Sequence, residues 1–88
     1  MRKTKKIRRK LKKEILNYTV IFEPAEEGGF VVRVPSLPGC YTQGETLDQA
    51  YQMAQDAIYG YIKTLRELKK EIPRETENSI IAKIPVKV

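Results

Sequence analysis

The apolar periodicity of this 88-residue chain predicts an α+β domain in the order β-β-β-α-β. Three observations carry the prediction. Apolar residues alternate with period two on either side of a glycine pair, Gly28-Gly29. From Leu47 to Leu68 they recur instead at steps of three and four, the spacing of one helix face. From Ile80 to Val88 the period returns to two. Packed together, these segments make a two-layer domain with one long helix on a mixed four-stranded sheet.

Each element follows from local chemistry. In the first strand Tyr18, Val20 and Phe22 alternate with Thr19 and Ile21, and the loop runs from Pro24 to Gly29. Its glycine pair takes positive φ without steric cost. Phe30, Val32 and Val34 alternate with Val31 and Arg33 in the second strand, which Pro35 ends by removing a ladder donor. Pro38-Gly39 is a turn, with φ preset at the proline and a glycine behind it. Cys40 to Gln43 supplies a short third strand. Thr46 and Gln49 form a capping box that opens the helix at Leu47.

The helical stripe is Leu47, Ala50, Tyr51, Ala54, Ala57, Ile58, Tyr61, Ile62, Leu65 and Leu68, with Pro73 beyond its end. Tyr51 and Tyr61 are expected in the core, while Tyr59 falls off the stripe. Gly60, mid-helix, costs ~1 kcal/mol relative to alanine, which predicts close approach of a neighbouring element. In the fourth strand Ile80, Ala82, Ile84, Val86 and Val88 share one face. Pro85 assigns that strand to an edge, and the helical crossover lets it pair in parallel with an earlier strand. One helix cannot cover both sheet faces. Thr19, Ile21, Val31 and Ile81 are left uncovered, which predicts a homo-oligomer, a dimer at least.

Charge divides the chain in two. Residues 1–13 hold nine basic residues and no acid, whereas residues 14–88 hold 8 basic and 11 acidic residues, a net of 8 − 11 = −3. Residues 1–15 are therefore read as a basic arm and 16–88 as the domain. Ile7, Leu11 and Ile15, four apart, would lie on one side of a short helix. The arm has three readings: a solvated tail, a polyanion-binding segment engaging phosphates without reading bases, or a contact to an anionic membrane surface. No run reaches the length of a membrane span and no apolar segment follows the basic start, so a cytoplasmic protein without a signal peptide is expected. A single cysteine, Cys40, excludes an intramolecular disulfide.

Catalytic chemistry finds little support. The absence of histidine removes Cys-His and Ser-His-Asp nucleophile activation. One thiol and no imidazole make a poor zinc site. Carboxylate-held metals are the remaining option, from Glu23, Glu26, Glu27, Asp48 and Asp56. Asp48 and Asp56 diverge by about 80° around a helix axis, and no acid stands at a strand centre to meet them. No enzyme activity, metal or cofactor is expected.

The run Pro35-Ser36-Leu37-Pro38-Gly39-Cys40, followed by Gly44-Glu45-Thr46 and a helix beginning near Gln49-Ala50, resembles the HicB antitoxin family. The resemblance spans roughly residues 17–72. Gln49 stands where that family commonly has Glu, which keeps the cap and loses a charge. The resemblance implies a partial ribonuclease H fold, in agreement with the element order. It also implies an antitoxin that binds and neutralises a small HicA-type ribonuclease toxin. Such toxins resemble basic RNA binders, so a net-acidic domain is complementary to them. Glu23, Glu26, Glu27, Glu45 and Asp48 are the candidate toxin-binding residues, chosen by charge and loop position rather than by the family motif. Many members carry a C-terminal helix-turn-helix or ribbon-helix-helix module. No such module follows the fourth strand here, so operator-specific repression is not expected. The alternative is a dimeric nucleic-acid-binding accessory protein acting through Arg2, Lys3, Lys5, Lys6, Arg8, Arg9 and Lys10.

Overall fold

The computed structural model describes residues 14–88. The basic residues Arg2 to Lys10, and most of the arm's proposed helix, lie outside the described residues. Three strands are formed: β1 (Ile21–Pro24), β2 (Phe30–Arg33) and β3 (Tyr41–Gly44). They make an antiparallel meander in the order β1-β2-β3, with Phe22 opposite Val32 and Val32 opposite Thr42. A 21-residue helix, α1 (Leu47–Glu67), follows and packs on β2 and β3. The class is α+β, as expected.

Glycine acts where expected in the first hairpin. Gly28 and Gly29 hold φ of 101° and 76°, and Ala25 N–H donates to the Gly29 carbonyl at 3.0 Å. The double-proline turn closes on itself through Leu37 N–H to the Val34 carbonyl (3.0 Å) and Cys40 N–H to the Leu37 carbonyl (3.0 Å). This folds Leu37 inward until it is fully buried, beside Val34, Cys40 and Ile62. A second cluster joins Val32 to Ala50 and Ala54. Small residues set that contact: a Cβ added to Gly44 would sit 2.5 Å from the Ala50 nitrogen. The helix is thus pressed onto β3.

Both helix ends are capped. Gln49 N–H donates to Thr46 Oγ1 at 3.1 Å. The reciprocal acceptor, Gln49 Oε1, takes Glu45 N–H at 2.6 Å rather than that of Thr46. At the other end Lys70 N–H reaches the Leu65 carbonyl (2.9 Å) and Lys69 N–H the Arg66 carbonyl (3.0 Å). This is a Schellman closure, with Lys69 in the left-handed position at φ 56°.

A clasp joins the two ends of the domain. Thr19 donates its N–H and its hydroxyl to the Glu75 carboxylate, both at 2.7 Å, and Ser36 Oγ donates to it at 2.9 Å. The Tyr18 hydroxyl donates to the Pro73 carbonyl at 2.6 Å, and Arg74 makes a bidentate pair with Glu14. Burial pushes the Glu75 carboxyl up, but the three hydrogen bonds outweigh it and hold the group below the usual carboxylate range.

Four expectations are corrected. Among the described residues the sheet has three strands, and residues 80–88 form no strand. Their backbone meets no partner edge, and Ile80, Ile84, Val86 and Val88 are all strongly exposed. Ile81 therefore belongs to no sheet face. The first strand is shifted toward its hairpin, because Pro35 cannot donate opposite Thr19, whose N–H turns to Glu75 instead. Tyr51 is 58% exposed, since α1 lies over β2 and β3 and leaves the β1 side open. Gly60 faces open space, with nothing within 4 Å of an added Cβ.

Candidate functional site

Exposed carboxylates gather at one end of the domain. The β1–β2 turn carries Glu26 and Glu27, the β3–α1 junction carries Glu45, and the first turn of α1 carries Asp48. The pairing of Phe30 with Gly44 puts that turn beside that junction. Gly29 locks the approach, since a Cβ there would meet the Gly44 carbonyl oxygen at 2.7 Å. Glu27 and Glu45 line one shallow groove with Phe30, Val31, Gln49 and Met53. All four acids are exposed, and no cation among the described residues pairs with them. Asp48 also compensates the positive end of the α1 dipole.

Glu23 stands apart from this group. Its carboxylate accepts from Arg33 Nε at 3.1 Å on the outer sheet face. The structure therefore gathers Glu26, Glu27, Glu45 and Asp48 at one end and commits Glu23 to an ion pair. Of the carboxylates weighed for metal binding, Asp56 lies two turns along α1 from Asp48. Among the described residues no three acids or thiols converge to hold a metal ion. Cys40 is buried, and burial pushes its thiol up.

The opposite end mixes both signs. Lys63, Arg66, Lys69, Lys70 and Arg74, at the C-terminal end of α1 and just beyond it, are interspersed with Glu67, Glu71, Glu75 and Glu77. A 21-residue helix is about 30 Å long, so the acidic end and this mixed end stand roughly that far apart. Sequence reading named the acids but not their gathering, since Glu26 and Glu27 are about 20 positions from Glu45 and Asp48 and only strand pairing brings them together. The outer sheet face presents Val31 and Tyr41, 44% and 67% exposed. No helix among the described residues is long and apolar enough to cross a membrane.

Comparison with known proteins bears on this domain directly. Residues 18–85 match the family described as HicB-like antitoxin of bacterial toxin–antitoxin system. A UPF0150 protein of Thermoplasma acidophilum is 43% identical over 65 residues, covering 74% of this chain and 94% of that protein. Antitoxin HicB 1 of Photorhabdus laumondii is 40% identical over 58 residues, covering 66% of this chain and 37% of that antitoxin. The chain thus matches little more than a third of the longer antitoxin. The crystal structure of the N-terminal domain of Burkholderia pseudomallei antitoxin HicB superposes with a TM-score of 0.59 at 29% identity, over 67% of this chain and 69% of that one. The double-proline turn with its buried Leu37, the capped helix and the three-stranded meander are accordingly those of a family domain, and the chain belongs to the HicB-like antitoxins.

Proposed function

We propose that this protein is a cytoplasmic antitoxin that binds a small HicA-type ribonuclease and neutralises it by occlusion rather than by catalysis. The observation that carries the reading is the acidic end, where Glu26, Glu27, Glu45 and Asp48 are exposed and unpaired among the described residues. A basic ribonuclease surface is its electrostatic complement, and charges of this kind govern encounter and register more than raw affinity. Family membership supports the antitoxin role. The test is RNA cleavage by a purified HicA-type ribonuclease titrated with this protein. Inhibition is expected to saturate at equal molar amounts. Glu27→Lys with Glu45→Lys should weaken it by about tenfold or more, and Glu67→Lys, at the other end, should leave it unchanged. Absence of inhibition, or equal inhibition by all variants, would overturn the proposal.

A second reading rests on the charge of the arm, nine basic residues and no acid in residues 1–13. The arm would then bind polyanions without base recognition, with the domain as its carrier. Fluorescence anisotropy with labelled RNA and DNA decides it. Salt-sensitive binding that disappears on removing residues 1–13 supports it, and salt-insensitive or absent binding refutes it.

A further inference from the structure

We infer that the basic arm docks back on its own domain, with Arg2, Lys3 and Lys5 in the groove rimmed by Glu27 and Glu45, and so competes with any partner for that groove. The groove has the chemistry such a segment needs. Its floor is apolar, with Phe30 half-buried and Val31 and Met53 44% and 40% exposed. Lysine and arginine lay their aliphatic stems on such a surface and carry the charged head past it. At the rim the heads meet Glu27 and Glu45, with Glu26 in the same turn as Glu27 and Asp48 in the first turn of α1.

Charge selects the arm as the occupant. Residues 1–13 hold nine bases and no acid. Around the root of the arm the domain's own charges nearly cancel, with five bases from Lys63 to Arg74 against four acids from Glu67 to Glu77. Of those acids, Glu75 is already taken by Thr19 and Ser36. The four acids at the groove have no such neighbours. No base among the described residues pairs with them, and the one base on the strands, Arg33, is held by Glu23. The arm is therefore drawn past the nearer acids to the farther group.

The length of the arm permits this. Glu14 is bound to Arg74 beyond the end of α1, whereas Gln49 and Met53 of the groove stand in its first two turns. The separation is about 30 Å, the length of a 21-residue helix. At about 3.3–3.6 Å per residue, about nine residues bridge that distance. Arg2, Lys3 and Lys5 lie beyond those nine and arrive at the groove, while Lys10, Lys12 and Lys13 fall short of it.

The consequence for a partner rests on the proposed function. A basic ribonuclease that uses the same acids must first displace the arm. A tethered segment acts at an effective concentration of order millimolar. Docking as weak as about 1 mM then leaves the groove open only part of the time, and the apparent affinity of the ribonuclease falls by that fraction, about threefold. Coupling of this kind is reciprocal. A polyanion that takes the arm would free the groove, and the ribonuclease would release the arm to the polyanion.

Amide NMR shifts of the full chain test the inference. Lowering the salt from about 300 mM to about 20 mM is expected to move the amides of Gly28, Gln49 and Met53 as screening weakens. A variant with Arg2→Gln, Lys3→Gln and Lys5→Gln is expected to lose those shifts. One with Lys10→Gln, Lys12→Gln and Lys13→Gln, the same change of charge, is expected to keep them. The shifts should not differ between about 50 µM and about 500 µM protein, because the arm is tethered. In titrations with the ribonuclease, the first variant should bind about threefold more tightly than the wild type. Equal shifts in all three proteins, shifts that grow with protein concentration, or a ribonuclease that binds the first variant and the wild type equally would overturn the inference. A ribonuclease that binds none of them counts against the proposed function alone, since the shifts read the docked arm without it.

Discussion

The same substitution, glycine to alanine, should act with opposite sign at Gly44 and Gly60. Neither residue has positive φ, so backbone strain is not at issue. At Gly44 an added Cβ would stand 2.5 Å from the Ala50 nitrogen and 2.6 Å from its Cα. Those are backbone atoms of a capped helix, which cannot rotate aside. Ordinary carbon contacts lie near 3.5–4.0 Å, so β3 and α1 must part by about 1 Å. Overpacking of this kind costs about 1–3 kcal/mol, and the clash disturbs the contact that also buries Val32 and Ala54. A value near 3 is expected. At Gly60 an added Cβ meets nothing within 4 Å. The gain in helix propensity, up to ~1 kcal/mol, then stands alone. A domain of this size has about 4–11 kcal/mol of stability in total, so the difference between the variants is large. Urea denaturation followed by circular dichroism reads it directly, with unchanged m-values showing that both variants unfold from the same state. A neutral Gly44→Ala would refute the close β3–α1 contact. A destabilising Gly60→Ala would show that something covers that face of α1.

Three further outcomes are expected. Leu37→Ala, at a fully buried position in the double-proline turn, should cost about 2–5 kcal/mol by the same urea assay. Lys69→Gly should stabilise by about 1 kcal/mol, because a lysine now holds the left-handed position that closes α1, seen as a raised denaturation midpoint. The Glu75 carboxyl titrates lower in the folded chain than its ordinary value of 4.5. Its contribution is present above that value and lost as pH falls through the folded value. Urea midpoints measured from pH 7 down to pH 3 should therefore fall less steeply for Glu75→Gln than for the wild type.

The pattern of the chain was enough for the three-stranded meander, the helix and the turns between them. Gly28-Gly29, Pro38-Gly39 and Thr46 act through local backbone chemistry, which depends on a few neighbours and is legible in sequence. Leu37 was not assigned to the core, because only the folded turn shows that its side chain points inward. The misreadings share one cause. Tyr51 was placed by helical periodicity, Gly60 by its propensity cost and the final strand by alternation, and none of these says how the helix docks on the sheet. Its displacement toward β3 follows from the small residues Gly44, Ala50 and Ala54, and such docking is a tertiary fact that periodicity does not encode. The acidic candidates show the same division. Their positions on loops were readable, but the gathering of Glu26, Glu27, Glu45 and Asp48, and the loss of Glu23 to Arg33, depended on strand register.

The clasp between Thr19 and Glu75 sets an order of events in time. Its partners are 56 residues apart, whereas the meander and α1 close over much shorter loops. Loop-closure entropy rises with separation, so the clasp forms after the strands and helix and opens before them. During synthesis Glu75 emerges only once the helix is complete, and the domain waits unclasped until then. Φ-values should accordingly be high in the β2–β3 turn and near zero for Thr19 and Glu75. Local opening of this clasp would release the roots of both the arm and the tail while α1 and the sheet stay folded.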